Sequence, residues 1–251
     1  MEPRVIGERI VWSVVIPAYN EASRLPAYLR EVASFLDGRG EAYEVLVVDD
    51  GSRDGTAERV RDFQAAHDRV RLIVEPSNHG KGYAVKTGML SARGEFRLFT
   101  DADGATPIAE LRRLEPHLQA GADVVIGSRA LKDPAVSVQA RWQRVLSGRI
   151  FNWMVARLGL EGIADSQCGF KCFRGAVAED LFRSLRTDGF AFDVEVLLLA
   201  QRRGYRIAEV AVNWADQPGS KVRVLTDGPR MVGQILRVRA GLARGKRDQG
   251  A

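Results

Sequence analysis

Apolar residues in the first half of the chain come in short continuous blocks, separated by stretches in which they recur every three or four positions. The blocks Trp12–Ile16, Glu44–Val48, Val70–Val74, Phe96–Thr100 and Val124–Gly127 carry many β-branched and aromatic residues and predict strands. The intervening stretches near Pro26–Leu36, Thr56–Ala66, Lys81–Ala92 and Ile108–Gln119 predict helices. Strands that read as unbroken apolar runs are covered on both faces, which points to a mostly parallel sheet wrapped by helices and to the α/β class. In such sheets ligands sit beyond the carboxyl ends of the strands.

After about residue 130 the pattern loosens. It predicts a long amphipathic helix over Arg141–Leu158, a loop over Asp165–Lys171, a helix near Phe192–Arg203 and a strand near Arg206–Trp214. No repeat, low-complexity linker or domain boundary interrupts the chain, so residues 1–228 are expected to form one domain, with a separate tail over 229–251. Length allows this: 251 residues with 45% apolar content suffice for one large core. No apolar run approaches the roughly 18 residues that cross a bilayer, and MEPRVIGER lacks the apolar core of a signal peptide, so a cytoplasmic chain is expected.

Charge changes the picture only at the end of the chain. From Pro229 onward Arg230, Arg237, Arg239, Arg244, Lys246 and Arg247 face Asp248 alone, so the formal net charge of +5 resides there. Met231, Ile235, Val238 and Leu242 recur at helical spacing, with the arginines on other faces, a pattern suited to an anionic membrane surface. Cations interleaved with aromatic stacking residues are absent, which argues against nucleic acid. Cys168 and Cys172, four apart and with no second pair, read as buried thiols rather than a zinc site or disulfide framework.

Candidate chemistry lies where the strands end. Pro17-Ala18-Tyr19-Asn20-Glu21, Asp49-Asp50-Gly51-Ser52, Thr100-Asp101-Ala102-Asp103 and Gly127-Ser128-Arg129 should converge on one rim. A carboxylate pair can bind a divalent cation, serve as an acid/base pair, or cap a helix in a solvated turn. Four carboxylates on one rim favour a cation or a hydrogen-bonding ligand that offsets their repulsion, and hard Mg2+ or Mn2+ prefer such oxygens.

These segments carry a resemblance. "VVIPAYNEASRLP", "EVLVVDDGSRDGT", "NHGKGYAVKTGMLSARGE", "LFTDADGATP" and "VIGSR" occur in the order of the inverting family 2 glycosyltransferases, which have the GT-A fold with a Rossmann-like nucleotide-binding half. "IADSQCGFKCF", "GFAFDVEVLLLAQ" and "IAEVAVNWADQPGSKV" are similar to the dolichyl-phosphate β-glucosyltransferases, and the likeness runs from about Ser13 to Val222. It implies a nucleotide-binding half over about residues 12–130 and an acceptor half over about 131–228.

The resemblance implies roles. Pro17, Ala18, Tyr19 and Glu21 would hold the base and ribose, with Asp50 on the uracil N–H and Lys81 near base or diphosphate; Ala102 would lie in the donor site. Asp101 and Asp103 would hold Mg2+ or Mn2+ against the sugar-nucleotide diphosphate, with Asp103 the direct ligand and Asp101 contacting the sugar or the metal. Ala105 stands where related mannosyltransferases often place a Gln, a departure that leaves a third protein ligand open. Arg129, Arg141, Arg144 and Ser147 would grip the phosphate of a polyprenyl phosphate acceptor. Asp193 follows Phe192 where many relatives have an acidic pair; it would act as general base, orient the sugar or cap the next helix. Asp165, Gln167 and Lys171 would line the sugar or acceptor pocket, and Lys221 would lie in a loop closing over the diphosphate.

The function implied is hexose transfer, most simply glucose, from a UDP-sugar to polyprenyl phosphate at the cytoplasmic face of a membrane. The alternatives are a GDP-mannose-dependent enzyme, another family 2 transferase, and an inactive sugar-nucleotide-binding protein. A sugar-1-phosphate nucleotidyltransferase would carry a Gly-rich turn after the first strand, where this chain has Pro-Ala-Tyr-Asn-Glu.

Overall fold

The computed structural model describes residues 9–139, 160–217, 233, 234 and 236. Strands β1 (Trp12–Ala18), β2 (Tyr43–Asp50), β3 (Val70–Glu75), β4 (Phe96–Thr100) and β5 (Val124–Ser128) fall where the apolar blocks predict them. Helices α1 (Leu25–Asp37), α2 (Thr56–Ala66), α3 (Lys81–Ser91) and α4 (Leu111–Gln119) fill the intervals, the last entered through a 3-10 turn over Ile108–Glu110. Beyond them lie β6 (Val138–Gln139), β7 (Phe170–Arg174), α5 (Gly175–Ser184), α6 (Phe192–Arg202), β8 (Ile207–Ala211) and β9 (Trp214–Ala215).

Three expectations need correction. The segment read as a loop up to Lys171 turns into strand β7 at Phe170, and α5 follows it directly. The strand expected through Trp214 ends at Ala211, and Trp214–Ala215 instead pairs with β6. Asp193 does not cap α6: Ala191 is the N-cap residue and no side chain caps the end. The helix expected over Arg141–Leu158, with Arg141, Arg144 and Ser147, lies outside the described residues. So do Lys221 and, apart from Gly233, Gln234 and Leu236, the tail.

Among the described residues one sheet runs in the order β3-β2-β1-β4-β7-β5-β8. All neighbours are parallel except β7, which is antiparallel to both β4 and β5. Successive strand side chains point to opposite faces, and the sequence uses both. Val14, Ile16, Leu98 and Cys172 pack with Leu29 and Val32 of α1 and Leu111, Leu114 and Leu118 of α4. Val15, Phe99 and Phe173 pack on the other side with Val85 and Met89 of α3, Leu181 and Phe182 of α5, and Val196 of α6. Each fully buried Leu, Val or Phe contributes roughly 1.5–3 kcal/mol of transfer free energy, so both helix layers are anchored by the same strands. Both cysteines are free and buried. Burial pushes the Cys168 thiol up to about 12, which keeps it protonated and inert.

The topology places the site. The carboxyl ends of β1, β2, β4 and β5 open on one rim. Because β7 runs the opposite way, its first residues join that rim: Phe170 pairs with Thr100, the last residue of β4.

Candidate active site

The loops after β1 and β2 are stapled to each other. Asn20 sits at φ 51°, a left-handed conformation that Asn tolerates better than most residues. Its Oδ1 accepts the Arg53 N–H at 2.8 Å and its own N–H donates to Ser52 Oγ at 2.8 Å. The Glu21 N–H donates to Thr56 Oγ1 at 2.8 Å, and the Glu21 carboxylate takes Arg24 through two bonds of 2.6 and 2.7 Å. Pro17 and Ala18 are the last residues of β1, paired with Val48 and Asp49. Tyr19 follows at the mouth of the same loop, where it is half-buried.

The four carboxylates expected on one rim do not form one cluster, because Asp49 and Asp50 are successive strand residues and face opposite ways. Asp49 is taken by Ser52 in its own turn. Burial raises its pKa above the ordinary carboxylate value against that hydrogen bond. Asp50 is turned to the loop before α3, where it accepts the N–H groups of His79 and Gly80 at 2.9 and 2.8 Å and the Asn78 amide at 2.8 Å. Among the described residues no group of three or more His, Cys, Asp or Glu is placed to hold a metal.

Asp101 and Asp103 remain as a pair beyond β4, with Ala102 buried between them. Lys81, the first residue of α3, lies 2.6 Å from Asp101 Oδ1, and Arg24 lies 3.7 Å from Asp103 Oδ2. The Asp103 Oδ1 accepts the Ala105 N–H at 3.1 Å, and the Asp101 N–H donates to the Gly169 carbonyl at 3.1 Å. Burial, then the neighbouring Asp101 charge, lifts the Asp103 pKa above the ordinary value, while Arg24 and Lys81 pull it back. Gly169 is a cradle for Asp101: the Asp101 carboxylate fills the place a Cβ at 169 would take, with Oδ1 only 2.6 Å from it. Two hard oxygen donors seated against a backbone recess fit Mg2+ or Mn2+, which commonly take one or two carboxylates and complete their shell with water and substrate phosphate. Asp101 and Asp103 are therefore the residues that could hold such an ion.

A second layer of charge lies behind this pair. Lys171, with no exposed surface, donates to Asp193 Oδ1 and to the Cys168 carbonyl, both at 2.6 Å. Burial raises the Asp193 pKa, and the Lys171 and Lys81 charges oppose the rise. Asp193 is thus a buried carboxylate paired with Lys171. Arg129 donates through Nε and Nη2 to Asp165 at 2.7 and 2.8 Å. Burial works against the Asp165 charge, but the Arg129 guanidinium outweighs it and holds the pKa below the ordinary value. The turn that carries Asp165 is tied to β8 by Glu209, which accepts the N–H groups of Ala164 and Asp165 at 2.9 and 2.8 Å. Next to it, the Gln167 amide nitrogen is buried with no hydrogen-bond partner among the described residues.

The structure brings together Asp101, Asp103, Lys81 and Asp193, and sets Arg129 against Asp165 beside them. Sequence reasoning missed Arg24 and Gly169. The E-x-x-R spacing of Glu21 and Arg24 was a usable signal, since residues three apart on a helical turn meet. Nothing local marked Gly169. The glycines flanking Lys81 let the backbone of the loop before α6 approach closely. A side chain at Gly80 would meet the Asp188 carbonyl at 2.5 Å, and one at Gly82 would meet Phe192 Cβ at 2.7 Å.

Comparisons with known proteins place the chain in a family. Residues 13–182 match the family model described as glycosyl transferase family 2. The dolichyl-phosphate beta-glucosyltransferase of Dictyostelium discoideum is 38% identical over 244 residues, covering 92% of this chain and 75% of that protein. The protein of that name from Homo sapiens is 40% identical over 226 residues, covering 84% and 69%. Among solved structures, the glucosyl-3-phosphoglycerate synthase of Mycobacterium tuberculosis in complex with Mn2+, UDP and glucosyl-3-phosphoglycerate aligns with a TM-score of 0.68. That alignment covers 92% of this chain and 80% of that one at 22% identity, a likeness of architecture, and the architecture is the GT-A fold. With more than half of its length matched by the family model, and relatives of this similarity aligned over most of both chains, the chain belongs to glycosyl transferase family 2.

Proposed function

We propose that this family 2 glycosyltransferase moves glucose from UDP-glucose to a dolichyl-type polyprenyl phosphate, with inversion. The observation that carries the reading is the Asp101–Asp103 pair at the carboxyl end of β4, seated in the Gly169 recess with Lys81 and Arg24 beside it. The curated relatives bear the name of that reaction, and the Mycobacterium tuberculosis neighbour was crystallised with UDP and Mn2+, which supports the donor class and the metal.

In this reading Pro17, Ala18, Tyr19 and Glu21 form the wall for base and ribose. Asp50 holds the Asn78–Gly80 loop and offers its remaining acceptor capacity to the base N–H. Asp101 and Asp103 hold Mg2+ or Mn2+, which when bound stabilises negative charge on the departing UDP. Lys81 supplies a cation to the diphosphate side, and Lys221 is assigned to a loop that excludes water from the loaded site. The acceptor phosphate is already anionic near neutral pH, so the demand for a strong base relaxes, consistent with a buried Asp193. Arg129 points that phosphate through the guanidinium nitrogen not taken by Asp165, with Arg141, Arg144 and Ser147 as further ligands. A single in-line attack on an α-linked donor gives a β-linked product. The Gln167 amide donates to an oxygen of the sugar.

No helix among the described residues is long and apolar enough to cross a membrane. We assign contact with the cytoplasmic membrane face to the basic tail. The test is a donor screen on the full chain with Mg2+ or Mn2+ and a short polyprenyl phosphate, read by product mass. UDP-glucose should give product and raise the melting temperature, and Asp103→Ala should abolish transfer with the fold intact. Turnover with GDP-mannose instead would overturn the donor assignment.

A further inference from the structure

The acidic pair already has cations of its own, and the two are not equivalent. Arg24 is engaged by Glu21 through bonds of 2.6 and 2.7 Å and reaches Asp103 only at 3.7 Å. Lys81 makes a direct ion pair of 2.6 Å with Asp101, its side chain 21% exposed at the open side of the site. The ammonium also starts an eleven-residue helix, whose N-terminus adds positive potential at the same spot.

This geometry sets up a competition. The Asp101 oxygen that Lys81 holds is one that a dication would need, and an ammonium and a dication on one oxygen repel strongly in a half-buried site. Lysine is a point charge on a flexible four-carbon stem, so it can leave without moving the backbone. Without an anion, however, a dication and Lys81 beside the α3 N-terminus would share Asp101 and Asp103, since Glu21 is engaged by Arg24 and Asp193 by Lys171. A nucleotide diphosphate restores the balance and gives the displaced ammonium a new partner.

Resting on the metal site assigned above, we propose that Lys81 is the resident counter-ion of Asp101 in the donor-free protein, so that a dication and the nucleotide diphosphate enter together. The Lys81–Asp101 ion pair breaks, Asp101 becomes a metal ligand, and the ammonium passes to the diphosphate with no proton transferred. Metal alone binds weakly, and by linkage the nucleotide tightens the metal by the same factor as the metal tightens the nucleotide. Lys81 is then a positioning residue that keeps the site from filling with metal before the donor arrives.

The test measures protein-bound Mn2+ on the full chain by ultrafiltration, which leaves the Mn2+–UDP complex in the filtrate, with and without UDP. In Lys81→Gln and Lys81→Met, Mn2+ alone should bind about tenfold more tightly than in the unaltered protein, since an opposite charge at this range is worth one to three decades. The tightening by UDP should shrink by a similar factor. Lys81→Arg, which keeps the charge, should resemble the unaltered protein. Equal or weaker Mn2+ binding by both neutral variants, with melting temperatures intact, overturns the counter-ion role and leaves the metal site standing. If Asp101→Asn alone retains as much Mn2+ with UDP as the unaltered protein, Asp101 is no metal ligand and the counter-ion role falls; if the double variant Asp101→Asn with Asp103→Asn also retains it, the metal site itself falls.

Discussion

Asp101 keeps its place because Gly169 has no side chain. The Asp101 carboxylate occupies the volume a Cβ would need, and its N–H is tied to the Gly169 carbonyl at 3.1 Å. Gly169→Ala should therefore push the carboxylate away while β7 stays paired. A shift on the order of 1 Å can cost about 100-fold in rate, and that loss in kcat/KM, with retained circular dichroism and weaker Mn2+ retention, is the expected outcome. Asp165 is the complementary case, a residue whose loss should be felt in the fold. Asp165→Asn leaves the half-buried Arg129 with a neutral partner and should lower the unfolding free energy at pH 7 by about 1–3 kcal/mol, measured in urea. The sign with pH follows from the depressed folded pKa. The Asp165 contribution is present above the ordinary carboxylate value of about 4 and is lost as pH falls through the folded value, so the gap between the two proteins should close in acid. Asp101, Asp103, Lys81 and Arg129 were legible in the sequence because each follows a strong local signal, a strand end or a helix start. Arg24 and Gly169 were not, because what they do is defined by a partner far along the chain or by an absent side chain.

At the scale of elements, the approach of α3 to the loop before α6 organises the donor side of the site. Asp50 fixes the turn into α3 by accepting three hydrogen bonds, and the Tyr83 N–H donates to the Asp188 carbonyl at 3.1 Å. Gly82 permits that closeness, since a Cβ there would meet Phe192 Cβ at 2.7 Å and the Gly189 carbonyl at 2.9 Å. Gly82→Ala should cost about 1–3 kcal/mol through overpacking, despite the better helix propensity of Ala, and a chemical melt reads it. A gain in stability would mean that the loop is free to move off α3. The five parallel strands and their helices were legible because unbroken apolar runs and 3.6-residue periodicity alternate cleanly there. Strand β7 was not, since the loop read over Asp165–Lys171 takes in its first two residues, and Lys171 looks like a solvated charge until Asp193 is seen to receive it. Helix α5 follows without a connecting turn, and so lacked the punctuation that separates elements in a sequence.

For the whole molecule, the governing feature is the separation of charge. Residues 1–228 carry as many basic as acidic side chains, and the formal net charge of +5 lies beyond Pro229. On the proposed reading the basic end is what meets anionic lipid, since residues 1–228 carry no net formal charge. Each basic residue near such a surface adds about 1 kcal/mol, an attraction that salt screens within roughly 10 Å. Deleting the tail would be an impure test, because a side chain at Gly189 would lie 3.2 Å from Gln234, which places that tail residue against the loop before α6. Replacing Arg230, Arg237, Arg239 and Arg244 by Gln removes charge while keeping the chain. The altered protein should sediment less with vesicles containing anionic lipid at low salt. The two forms should converge at high salt and turn over a detergent-soluble acceptor at similar rates. Equal sedimentation at low salt would move membrane contact off the tail, and a matched loss of soluble turnover would instead make the tail part of the catalytic body.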